Sequence, residues 1–225
     1  LFSSLKLSED LLKQKTLICS EIIELQYTLN QFKAKYADVL ENSTSSFDHY
    51  LPEITKMTSN PSENKLVQCE LIVTELSVNF KSFIIISKSI LDKIVPFFDH
   101  RHNSTLKKFS KKGNTLIKYL ENNYTHENKE EFISFLKKNK KEWIDFLITM
   151  RDSYVHFSDV SSYYLGFNFL LGEGVTKIET IKDISPPLVK QHWKYINALN
   201  YLEETYSNLL YFLRVFLLYS GFSSQ

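Results

Sequence analysis

The sequence predicts an all-α protein: an antiparallel helical bundle of about four long helices with a small β-hairpin insertion near 162–182. Three observations predict it. Apolar residues alternate spacings of four and three along several long segments, the period becomes two only around 162–182, and five glycines and five prolines leave few places to break a helix. Hydrophobic residues at 43% and aromatics at 14% are enough for one substantial core, so residues 1–225 are read as a single helical domain.

The first helix starts at Ser8-Glu9-Asp10, a capping hydroxyl followed by two acids. Ile18, Ile22, Leu25, Leu29, Phe32, Tyr36 and Val39 form a heptad-like seam, and the loop composition Asn42-Ser43-Thr44-Ser45-Ser46 predicts its end near Glu41. A second helix is signalled by Asn60-Pro61-Ser62-Glu63, with Leu66, Cys69, Val73, Leu76, Phe80 and Phe83 opening its stripe. Ile72, Ile84, Ile86, Leu91 and Val95 widen that stripe, which predicts a helix buried on more than one side, in the bundle centre or in a dimer contact. Pro96 is expected to end or kink it.

Asp99-His100-Arg101-His102 reads as a polar interhelical loop, since His-x-His with one carboxylate lacks the ligands for a metal site. Leu116, Ile117 and Leu120 mark a short helix closed by Asn122-Asn123. The next long helix begins after Thr125-His126 and presents Phe132, Leu136, Asn139, Trp143, Phe146 and Met150 inward. After Asp159, alternating Tyr163, Leu165, Phe167, Phe169 and Leu171, then Gly172-Glu173-Gly174, then Val175 to Ile181, predict the hairpin. Tyr163 and Tyr164 could stack on bases or pack in a core or dimer contact. Past Ser185-Pro186-Pro187 the last helix carries Val189, Trp193, Ile196, Leu199, Leu202, Tyr206, Leu209, Leu213 and Phe216, with Arg214 at its surface.

Charge and cysteine usage narrow the function classes. Net charge is +1, yet from Arg101 to Lys141 there are eleven Lys or Arg against four Glu. That basic block is either a solvated face or a polyanion-binding surface, and its lysines suit diffuse backbone attraction better than base reading. Cys19 and Cys69 sit in helical patterns without a CxxC or Cys/His cluster, which reads as buried reduced thiols in a cytoplasmic protein, with a disulfide as the alternative. The most apolar runs, Phe80 to Phe98 and Tyr206 to Tyr219, are interrupted by charges, so no membrane association is expected.

The chemistry-bearing stretch is Met150-Arg151-Asp152-Ser153-Tyr154-Val155-His156-Phe157, which holds one of three arginines. A guanidinium matches phosphate oxygens, and an imidazole with a pKa near neutral takes or gives a proton. Positions five apart on a helix are rotated about 140°, so Arg151 and His156 converge if the helix ends near Val155, or if a two-fold dimer joins two helix ends into one cleft. His156-Phe157-Ser158-Asp159 has the letters of a catalytic triad without its geometry.

The run Arg151-Asp152-Ser153-Tyr154-Val155-His156 resembles the arginine, polar residue, three variable residues, histidine signature of the HEPN superfamily, small helical and usually dimeric domains. Many are metal-independent ribonucleases of toxin-antitoxin, phage-defence and RNA-processing systems; others are non-catalytic. The resemblance implies that Arg151 holds the scissile phosphate, His156 acts in proton transfer and Asp152 orients them, with no metal or cofactor. It also implies a homodimer, RNA as substrate, and a protein antitoxin or regulator as partner. Lys137, Lys138, Lys140, Lys141 and Tyr154 are the RNA-binding candidates. HEPN toxins paired with a nucleotidyltransferase antitoxin carry a tyrosine two residues after the histidine; Ser158 stands there and counts against that pairing.

Overall fold

Ser8 starts the first helix: its Oγ accepts from the Leu11 N–H at 3.4 Å and its carbonyl from the Leu12 N–H at 2.9 Å. The structure, a computed structural model, describes residues 7–57, 67–72, 74–156, 166–172, 175–181 and 198–222. Helix α1 (Glu9–Met57) turns Ile18, Leu25, Leu29 and Phe32 inward, as the seam's spacing predicts, with Leu11 added to them and Ile22 and Tyr36 packed at its edge; the side chain of Val39 lies outside what is described. The helix does not stop near Glu41. The Ser/Thr run does not end it, because Ser, Thr and Asn each cost a helix only about 0.5 kcal/mol relative to good formers.

The second helix starts later than predicted. α2 spans Thr74–His102, and the backbone of Val67–Ile72, assigned to helix by its three-four spacing, is a strand, β1. In so short an apolar run, Val67, Cys69 and Leu71 also satisfy a period of two, and the two periods cannot be told apart. Pro96 does not end α2 either, which continues to His102. Phe97 and Phe98, just beyond it, are fully buried. Burying each contributes about 1.5–3 kcal/mol, against about 3 kcal/mol for an interior proline. Asp99 to His102 is therefore the last turn of α2 and not a loop.

α2 is the centre of the bundle, packed against α1, α5 and α6, as its wide stripe predicts. A loop leads to one turn at Ser110–Gly113, then to α3 (Asn114–Asn123) and α4 (Lys129–Asn139). The long motif helix is interrupted: Lys140–Ile144 is a π turn, after which α5 (Asp145–His156) resumes. Buried Asn139 holds this junction, donating to the Phe135 carbonyl and accepting from Trp143 Nε1, both at 2.9 Å. The inward face is otherwise as predicted, with Phe132, Leu136, Trp143 and Met150 buried and Phe146 at the edge of the core. α6 (Ala198–Tyr219) buries Leu202, Leu209, Leu213 and Phe216 as expected; Val189, Trp193 and Ile196 lie outside the described residues. Stacked or edge-on rings join it to α4, including Phe132 to Tyr219 at 5.1 Å and Phe135 to Phe212 at 5.3 Å.

Three backbone strands accompany the bundle in the order β1, β2 (Gly166–Gly172), β3 (Val175–Ile181), antiparallel, with Val67 opposite Leu171 and Gly172 opposite Val175. The turn 173–174 and the flank 162–165, on which the predicted insertion depends, lie outside the described residues, as do Tyr163 and Tyr164. No helix among the described residues is long and apolar enough to cross a membrane.

Candidate functional site

The motif sits on the last two turns of α5, and core contacts on one side of that helix decide what faces out. Leu147, Ile148 and Met150 are buried. Tyr154 meets Phe80 of α2 edge-on at 6.5 Å, and Lys81 Nζ stands 5.4 Å from the centre of its ring. Tyr154 is thus a half-buried anchor of α5 on α2, with part of its ring surface already engaged, and not an open platform for a base.

Arg151 and Asp152 stay within reach of solvent, their side chains 31% and 42% exposed. Arg151 Nη1 donates to Asp152 Oδ1 at 3.0 Å, so the acid next in sequence holds one edge of the guanidinium. A guanidinium has five N–H donors, which leaves others to meet phosphate oxygens. The polar position of the motif therefore acts on the arginine directly. His156 is placed by its backbone, which remains helical through that residue. The helix is described through His156, within a residue of the end expected near Val155, and on helical backbone positions 151 and 156 lie about 140° apart around the axis.

The four lysines of the preceding turns are mostly occupied. Lys137 pairs with Glu121 at 2.8 Å, Lys138 with Glu142 at 4.0 Å, and Lys140 reaches both Asp145 oxygens, at 2.7 and 2.5 Å. Lys141 is exposed and pairs with no acid among the described residues. Sequence reasoning missed Lys112, whose Nζ donates to Thr149 Oγ1 at 2.6 Å and ties the turn before α3 to α5 two residues ahead of Arg151. Nothing local signals this contact across 37 positions of sequence.

Cys19 is a free, half-buried thiol, and the side chain of Cys69 lies outside what is described. An open groove of about 580 Å³ between α1 and α2 is lined by Gln31, Ala34, Lys35, Asp38, Glu75 and Val78. Lys35 bridges Asp38 and Glu75 at 3.0 and 3.1 Å, an ion-pair cluster without a nucleophile beside a base. No family model matches this chain, and no curated protein or solved structure matches it.

Proposed function

We propose that this chain is a metal-independent endoribonuclease of HEPN type, acting as a homodimer in a toxin or phage-defence setting. The observation that carries the reading is the half-exposed Arg151, held at one edge by Asp152 on the helix that also bears His156. The ribose 2′-oxygen attacks phosphorus and the bond to the 5′-oxygen breaks, leaving a 2′,3′-cyclic phosphate and a free 5′-hydroxyl. The imidazole of His156 takes the 2′ proton and water gives a proton to the departing oxygen, while Arg151 stabilises charge on the phosphoryl oxygens. Because α5 turns positions 151 and 156 apart, the arginine of one copy serves with the histidine of the other.

The test is cleavage of mixed-sequence RNA in EDTA, with the termini identified. Wild type yields cyclic phosphate ends, and His156→Ala slows the reaction about 10²–10⁴-fold. Equal rates for the two proteins would remove the enzymatic reading. The same 140° separation favours a second reading, a non-catalytic module of this fold that binds RNA or a protein partner, in which the Arg151 to Asp152 pair only braces α5. In that case RNA binding survives both Arg151→Ala and His156→Ala, and no cleavage is seen with any variant.

A further inference from the structure

Three of the lysines before the motif are paired with neighbouring acids, and the turn that packs against the π turn presents further cations beside them. Lys111 and Lys112 adopt left-handed backbone, φ 48° and 55°, followed by Gly113 at 82°, and this turn rests on the π turn Lys140–Ile144. L side chains rarely take up such backbone, so the surroundings must impose it. They do so from three directions. Phe109 is buried beneath Gly113, its N–H donates to Asp92 Oδ1 at 2.9 Å, and Lys112 is tied to Thr149. With Lys112 occupied, Lys108 and Lys111 beside the turn and Lys141 on the π turn remain exposed and pair with no acid among the described residues. Lys141 stands ten residues before Arg151, about 15 Å along the helix.

We infer that Lys108, Lys111 and Lys141 form a docking surface for the phosphate backbone of a single-stranded nucleic acid and lead the strand along α5 toward Arg151. The inference rests on reading the chain as a nucleic-acid-directed protein. Lysine ammonium groups attract phosphates diffusely and place a strand without reading its sequence. A lipid surface fits less well, because membrane-surface elements combine cations with apolar side chains that insert. Among the described residues, the exposed large apolar side chains are on α1, α2 and α6 and at Val155, and none falls between 101 and 145.

The experiment measures affinity of the full chain for a fluorescein-labelled, mixed-sequence 2′-O-methyl RNA, which cannot undergo 2′-oxygen attack, across a salt series. Replacing the three residues together (Lys108→Gln, Lys111→Gln, Lys141→Gln) weakens binding by about tenfold or more at low salt and lowers the logarithmic salt slope by about 2. Lys141→Glu alone, at a site outside the left-handed turn, costs about threefold or more, whereas the acid-paired set Lys137→Gln with Lys138→Gln costs less than that. Full affinity in the triple variant, or equal loss in the paired set, overturns the inference and leaves the proposed activity standing. A wild type that does not bind the strand overturns the inference, with cleavage of unmodified RNA deciding the proposed activity separately, and tighter binding to phosphatidylserine vesicles than to the strand overturns nucleic acid as the occupant.

Discussion

A Cβ placed on Gly113 would come within 2.5 Å of Phe109 Cζ and 2.7 Å of Cε1, and the residue holds φ +82°. Phe109 is locked by the core, lying edge-on to Phe212 at 6.1 Å, so it cannot yield cheaply. Gly113→Ala should therefore destabilise the fold by about 2–3 kcal/mol through steric strain and left-handed backbone together, readable as a lower urea midpoint. His102 makes a second case at this scale. Its ring lies between Phe98 at 4.6 Å and Tyr124 at 5.0 Å, and its Nε2 is buried with no hydrogen-bond partner among the described residues. Burial holds its pKa below the ordinary 6.5; the Ser220 main chain acts the other way, and the charges of Arg101 and His126 add to the lowering. The unfolded chain therefore takes up this proton first as pH falls. Stability is full above about pH 6.5, declines from there toward the lower folded-state pKa, and falls no further below it on this account. Melting temperatures across that window should drop in wild type and drop less in His102→Gln.

At the scale of elements, the junction of α4 and α5 depends on Asn139. It is the polar residue that the inward stripe predicts, and its role is to accept from the buried Trp143 Nε1. Asn139→Ala leaves that N–H without its partner, which should cost about 1–3 kcal/mol and lower the melting temperature by roughly 3–10 °C. The inward face was legible because Phe132, Leu136, Trp143 and Met150 keep their spacing, but a π turn between them carries no residue signature. The same contrast holds elsewhere. Leu25, Leu29 and Phe32 announced α1, since burial and period agree there, whereas Pro96 misled because packing of Phe97 and Phe98 outweighs a local preference. At the site, the Arg151 to Asp152 contact could be read because it joins neighbours. The pairing of Lys137 with Glu121, 16 residues away, and of Lys112 with Thr149 could not, since folding alone brings those groups together.

At the scale of the whole molecule, the question is whether one copy can assemble the chemistry. α5 is helical through His156, so positions 151 and 156 stand about 140° apart around it, and Tyr154 against Phe80 and Lys112 on Thr149 hold that helix to the bundle. A shared cleft makes a prediction that neither single variant can make. With such a cleft, Arg151→Ala and His156→Ala proteins should each cut RNA far more slowly than wild type, but unfolded together in equal amounts and refolded they should form mixed dimers. Each mixed dimer holds one complete Arg151 and His156 set drawn from opposite copies. Random pairing makes half the dimers mixed, each with one of two sites intact, so the mixture should recover about a quarter of wild-type cleavage. If the two side chains served within one copy, every subunit in the mixture would lack one of them and no activity would return. Comparing the refolded mixture with the two variants refolded separately and then combined, under the same RNA cleavage assay, decides between the arrangements.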